Sequence, residues 1–282
     1  MAETGTLERA GEAVAASLPA LLTEAERVAG TLAAGAHGRR RPGTGETFWQ
    51  YRDYAHGDAA SLIDWRQSAR APGRYFVRQT EWETAASVHL WADGGDSLDY
   101  ASGTVTKRWR ALVAATALAS LLVRGGERVG PMDGPARGGR AGLTALAERL
   151  LAPAYDTLPP LPPERASRVV LISDFHEETG AVLERLSAIR AAGRPVHVVQ
   201  VSDPAEISFP YGGRTLFVSP GGAERREYGD AASVRDRYAD ARAAHLGAIE
   251  DACARDGWTM HRHVTDAPPT PTLASLHAAM GA

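Results

Sequence analysis

Residues 88–99 read VHLWADGGDSLD, an apolar run that ends in an aspartate and opens into two glycines, a second aspartate and a serine. A carboxylate at the end of a strand, followed by small and hydroxyl residues, is chemistry suited to a hard cation. Mg²⁺ takes oxygen donors in near-octahedral geometry, keeps several waters and uses one or two carboxylates. Two further apolar runs end the same way, RVVLISD at Asp174 and PVHVVQVSD at Asp203. In the first loop Asp93 and Ser97 are candidate ligands, and Gly95 stands where a second hydroxyl would be expected.

These aspartates act together only if the elements carrying them bring them to one edge. From residue 88 the pattern is regular. VHLWAD is a strand, and VTKRWRALVAATALASLLVRGG is an amphipathic helix closed by Gly125 and Gly126. ERVGPM is a short strand and LTALAERLLA a short helix, and the connector LPPLPPE at 158–164 leads into RVVLISD. AVLERLSAIRAAGR is a helix ending at Gly193, followed by the buried strand PVHVVQVSD and the minor strand TLFVS. DAASVRDRYADARAAHLGAIEDACARDG is a long helix, WTMHRHVTD a last strand, and a helix closes the chain. Apolar strands alternating with helices mean a doubly wound α/β fold, a mostly parallel sheet with helices on both faces. Ligands of such sheets bind beyond the carboxyl ends of the strands, where Asp93, Asp174 and Asp203 all fall. Ahead of this region, residues 7–33 are helical in pattern, with a break or second helix start expected at Pro19. GAHGRRRPGTG at 35–45 is a glycine- and arginine-rich loop, and RYFVRQTEWE alternates as a strand does.

Composition bounds the function. The 282 residues are 44% hydrophobic and 23% charged with net charge −3, so no global field attracts nucleic acid or anionic lipid. The basic residues number 31, and Lys107 is the only lysine, a skew expected of a GC-rich bacterial genome. Cys253 stands alone, which excludes an internal disulfide and argues against thiolate metal chemistry; its helical context suits a small buried hydrophobe. The acidic start lacks the order of a signal peptide. The apolar stretch at 111–123 falls short of the ~20 residues that span a bilayer. A cytoplasmic bacterial protein without a membrane span is expected.

The block YRDYAHGDAASLIDWRQSAR at 51–70, followed by RYFVRQTEWE, resembles the hallmark of the bacterial family known as domain of unknown function 58. The resemblance covers roughly residues 38–282, including DPAE at 203–206 and the YADARAAHLGAI helix. The order of strand, Asp-x-x-x-Ser loop, helix and VVLISD is in turn similar to the von Willebrand factor A fold. The resemblance implies an N-terminal helical and strand extension over residues 1–85 and a von Willebrand A-like domain over 86–282. It also implies a metal-ion-dependent adhesion site of Asp93, Ser97, Asp174 and, on the second loop, Thr144, degenerate at Gly95, with Mg²⁺ as the ion. Members of the family are usually encoded beside an AAA+ ATPase of the MoxR type. That implies a non-enzymatic adaptor acting with such a motor on a client protein. The competing expectation is a metal-dependent hydrolase on the Asp93/Asp174 edge, with His176, Glu177 or Glu178 as the nearby base.

The hallmark block admits two readings. Tyr51, Arg52, Tyr54, Gly57, Asp58, Ile63, Asp64, Trp65, Arg66, Ser68 and Arg70 form either a partner-binding surface or a structural tie built on Asp–Arg pairs with Trp65 as an anchor. His261 and His263, which share a strand face, could ligate a metal with Asp266, but no third histidine or cysteine is near. HEET at 176–179 is not a zinc-protease motif, RGGRAG at 137–142 reads as loop, and neither a phosphate loop nor a nucleophile elbow occurs. RRR at 39–41 lacks the interleaved aromatics of a nucleic-acid surface.

Overall fold

A computed structural model of the chain describes residues 2–35, 48–55, 58, 60–71, 73–80, 85–152, 157–163, 166 and 168–281. In chain order its elements are α1 (Ala2–Gly35), β1 (Phe48–Asp53), α2 (Trp65–Ser68), β2 (Phe76–Thr80), β3 (Ser87–Ala92), α3 (Lys107–Arg124) and β4 (Arg128–Pro131). There follow α4 (Gly139–Leu151), β5 (Arg168–Ser173), α5 (Thr179–Arg190), β6 (Val196–Ser202), α6 (Pro204–Ser208), β7 (Thr215–Val218), β8 (Arg225–Tyr228), α7 (Arg235–Arg255), β9 (Thr259–Val264) and α8 (Thr270–Met280). Two compact units result, Arg39–Ala85 and, separately, Met1–Gly38 with Ala86–Ala282.

In the larger unit five strands pair in parallel in the order β4-β3-β5-β6-β9. The chain starts at β3, steps outward to β4, and returns past β3 to β5. The winding direction therefore reverses between β3 and β5, where sheets of this kind open a crevice at their carboxyl ends. β6 is buried along its whole length because helices cover both faces. One layer packs Val88, Leu90, Val170 and Ile172 against α1, α3, α4 and α8. The other packs Val169, Leu171 and Val198 against α5 and α7. Among the described residues no helix is long and apolar enough to cross a membrane.

The expected break at Pro19 does not occur: α1 runs through it. Leu21, Ala25 and Val28 are buried in the core shared with α3 and α8, and that apolar stripe outweighs the local cost of a helical proline. This packing places α1 in the larger unit, apart from the residue 39–85 segment with which it was grouped on sequence. α4 likewise begins inside RGGRAG, which reads as loop from its glycines. β8 was not legible because its RREY is exposed and carries no apolar alternation; it is held by antiparallel pairing with β7.

In the smaller unit β1 and β2 pair antiparallel, with Ile63 bridging to Val77. Asp64 caps α2, its carboxylate accepting from the Gln67 amide at 2.9 Å.

Gly142 lies within α4, where alanine ordinarily improves a helix by up to about 1 kcal/mol. Here an added Cβ would stand 2.1 Å from the Arg137 carbonyl oxygen, which holds the edge of β4 through the Val129–Arg137 bridge. Gly142→Ala is therefore expected to destabilise the protein by more than ~1 kcal/mol, the reverse of its helix propensity. Equilibrium urea unfolding measures the sign.

Candidate functional site at the carboxyl edge

β3, β5 and β6 deliver Asp93, Asp174 and Asp203 to one edge, all three less than a tenth exposed. Each carboxylate is already engaged. Asp93 accepts from the Gly95 amide at 2.7 Å and from the Ser173 hydroxyl at 2.6 Å. Burial pushes it up to about 6, against the pull of those two hydrogen bonds. Asp203 caps α6: it accepts from the Ala205 amide at 2.8 Å and from the Ser102 amide at 2.8 Å, while Glu206 accepts from the Asp203 amide at 2.9 Å. DPAE is thus a capping box rather than a free ligand set.

Asp174 is the hub. Its Oδ1 accepts from the Ser97 hydroxyl at 3.2 Å and from the His176 amide at 3.1 Å. Its Oδ2 accepts from Lys107 Nζ at 2.7 Å, and the same ammonium pairs with Glu206. Lys107, the first residue of α3, is 1% exposed. Burial works against its charged form, but Asp174 and Glu206 outweigh that, so its pKa is raised and it remains an ammonium. Beside it Arg108 clamps the loop, pairing with Asp99 and donating to the carbonyls of Gly94 at 2.9 Å and Gly95 at 3.0 Å.

Asp93, Ser97 and Asp174 are therefore brought together as the sequence implies, but the rest of the expected metal set is not. Thr144 sits inside α4 and makes none of the site's hydrogen bonds. Thr157, on the connector after α4, comes closer: a Cβ on Gly95 would stand 2.7 Å from its methyl carbon and 3.1 Å from Asp93 Oδ1. The place of the missing serine hydroxyl is filled by a methyl. Among the described residues no group of three or more His, Cys, Asp or Glu is arranged to hold a metal ion. A divalent ion on Asp174 would also face the Lys107 ammonium at about 4 Å, a repulsion on the order of 8 kcal/mol at an effective dielectric of about 20. That exceeds the ~4 kcal/mol of a millimolar site. The residues present do not fit Mg²⁺.

Next to this cluster lies a cavity of about 750 Å³ with Lys107, Ser97 and Glu206 on its wall. Its body is aromatic: Phe209 stacks on Phe217 at 5.9 Å and packs with Tyr211 and Tyr238, and Tyr228 meets Phe217 edge-on at 5.8 Å. The exposed residues Val218, Arg226 and Arg237 also line it. Two aromatic residues at the edge hold left-handed backbone, Phe175 at φ 54° and Phe209 at φ 43°. Such conformations cost about 1–3 kcal/mol each and persist where the surroundings fix them. The Ser173 hydroxyl accepts from the Phe175 amide at 2.7 Å, and His245 Nε2 donates to the Phe175 carbonyl at 2.6 Å. Sequence gave no signal for the cavity, because its aromatics are scattered from 209 to 238.

In the smaller unit the hallmark residues make internal ties. Arg52 holds Asp58 in a bidentate pair at 2.5 and 2.7 Å, and the Tyr54 hydroxyl donates to the Asp58 carbonyl at 2.9 Å. Arg52 and the Ala55 amide bring the Asp58 carboxyl down to about 2. Tyr51 donates to Asp64 at 3.2 Å, and the Ser68 hydroxyl links the Asp64 carbonyl to the Phe76 amide. Trp65 is 61% exposed and lies edge-on to exposed Tyr75. Arg66 and Arg70 are exposed, and Gly57 lies outside the described residues, as does RRR at 39–41. Within the smaller unit Arg52, Asp58, Asp64 and Ser68 make ties, and Trp65, Arg66 and Arg70 have exposed side chains.

The remaining candidates resolve as structure. His261 and His263 hydrogen-bond to Thr259 and Thr272, and burial lowers both, His263 to about 4. Cys253 is buried, and burial raises its thiol to about 11. Glu178 caps α5 through the Ala181 amide, and His176 is exposed at the cavity.

Fold and site together define an α/β protein with an all-parallel central sheet, helices on both faces, and a carboxylate edge closed by its own lysine. The family model described as "Protein of unknown function DUF58" matches residues 50–247, and the chain belongs to that family. It is 30% identical over 256 residues to the uncharacterized proteins Mb1516 of Mycobacterium bovis and Rv1480 of Mycobacterium tuberculosis, covering 82% of this chain and 78% of each relative. No solved structure gives a significant match.

An aspartate raised by burial is a pH-dependent liability. Below its ordinary value near 4, Asp93 is protonated in both folded and unfolded chains; between about 4 and about 6 the unfolded chain gives up that proton while the buried group keeps it, so stability falls across that window and levels off above it. Asp93→Asn, whose amide oxygen can still accept from the Gly95 amide while its NH₂ faces the Ser173 hydroxyl oxygen, is expected to remove that fall. Relative to wild type the variant gains on the order of 3 kcal/mol between pH 4 and 7, read by urea unfolding across pH.

Proposed function

We propose that this chain is a non-enzymatic adaptor of von Willebrand factor A type that binds a partner protein at the carboxyl edge of its sheet. The observation that carries this reading is the pairing of a chemically satisfied edge with an open aromatic cavity. Asp93, Asp174, Asp203 and Glu206 are all occupied by protein donors, so none stands ready as a general base, while the cavity offers apolar area for a partner side chain. Aromatic pockets with arginine at the rim are where protein interfaces concentrate their binding energy. The resemblance of the hallmark block implies the partner, a MoxR-type AAA+ ATPase, with a client protein completing the assembly.

The hydrolase reading draws on the raised pKa of Asp93. Against it, Asp93 is 4% exposed, and both its oxygens accept hydrogen bonds from its own fold. A catalytic base must reach the proton it abstracts.

The test is binding of a MoxR-type ATPase purified from the same genome, measured by biolayer interferometry. Val218→Arg, a change at an exposed cavity residue, is expected to weaken binding at least tenfold, or about 1.4 kcal/mol, without shifting the melting temperature. No binding, or binding indifferent to that substitution, overturns the adaptor reading. Phosphoester or amide turnover lost in Asp174→Asn favours the hydrolase.

A further inference from the structure

The sole lysine of the chain sits inside the carboxylate cluster, and we propose that its ammonium permanently replaces a divalent cation there, so that the edge keeps its closed form without dissolved metal. Three independent features support the replacement. Lys107 is buried at the first residue of α3, directly after the loop that carries Asp93 and Ser97. Its two partners come from different elements: Asp174 ends β5, with Nζ at 2.7 Å, and Glu206 lies on α6. Ser97 holds the other oxygen of Asp174 at 3.2 Å, so hydroxyl, carboxylate and cation converge as they would around an ion.

The position is also one that ordinary helix energetics disfavours. The N-terminal turn of a helix carries partial positive charge and repels cations, and burial penalises an ammonium. A lysine placed against both is held there by the carboxylates it neutralises. A hard cation would use the same oxygens at about 2.1 Å, so ammonium and metal exclude each other. Conversely, taking away the ammonium while keeping the side-chain volume leaves Asp174, Glu206 and Ser97 as oxygen donors around an uncompensated negative site. That is a seat for one Mg²⁺ or Mn²⁺.

The inference concerns the isolated chain and stands apart from the adaptor reading, since its test contains no partner. Wild type, Lys107→Met and Lys107→Met/Asp174→Asn are titrated with MnCl₂ by calorimetry and melted in EDTA or in about 5 mM Mn²⁺. Wild type is expected to bind no Mn²⁺ tighter than about 1 mM and to melt at the same temperature in both buffers. Lys107→Met is expected to melt lower in EDTA, to bind one Mn²⁺ at least tenfold tighter than wild type, and to recover its melting temperature with the metal. The double variant should do neither. One Mn²⁺ bound by wild type and lost in Asp174→Asn overturns the proposal. So does a folded Lys107→Met that gains no Mn²⁺, or an unfolded one that Mn²⁺ does not restore.

Discussion

A parallel sheet that ends three neighbouring strands in aspartate concentrates negative charge on one edge, and that edge can pack only if the charge is neutralised. The Lys107 ammonium between Asp174 and Glu206 is the interaction that does so. Two carboxylates forced together without a cation would each pay several kcal/mol of desolvation, and removing one partner from a buried ion pair typically costs 3–5 kcal/mol. One charge therefore links three elements: the start of α3, the end of β5 and the short α6. Asp174 takes the ammonium, whereas Asp93 has only neutral donors in contact and is the carboxylate that burial drives up to about 6.

Around that pair the remaining donors are spent on shape. Arg108 fastens the carbonyls of Gly94 and Gly95, so the loop is drawn tight over the edge. Thr157 then fills the space a serine at 95 would need. The two left-handed phenylalanines turn the chain away from β5 and α6, and Phe209 thereby enters the aromatic wall of the cavity. Strain, clamp and capping box all serve one outcome: a fixed rim beside an open apolar pocket. On the adaptor proposal, a rigid rim would lower the ordering cost of docking a partner there, which is how preorganisation raises affinity.

Much of this was legible. The β–α alternation after residue 86, the three strand-terminal aspartates and the convergence of Asp93, Ser97 and Asp174 follow from periodicity and from where parallel strands end. What was not legible depended on distant packing. The helix through Pro19 rests on a core stripe whose partners lie some 90 residues or more away, and local propensity cannot see it. Thr144 is the only threonine close after β4, but Thr157 is the one that the connector folds onto Gly95. Trp65 reads as an anchor by residue type, whereas its ring is exposed and meets Tyr75 edge-on. In each case the sequence carried the residue and the tertiary structure decided its neighbour.

Lys107 is the residue whose signal was present and misread. A GC-rich genome accounts for a basic complement made almost entirely of arginine, but not for the single exception. Geometry accounts for it. A guanidinium is a planar fork that suits one carboxylate approached edge-on, as Arg52 does with Asp58. Asp174 and Glu206 reach the cluster from two elements, and their carboxylates need one compact point charge between them. Lysine supplies that charge on a flexible stem that can be buried along the helix, with three donors free of any plane. The Tyr100 ring stands 5.9 Å from Nζ, and a ring face favours an ammonium while offering a divalent ion no ligand. A chain that uses arginine wherever a cation will serve thus departs from it at the one position where only an ion-sized charge fits.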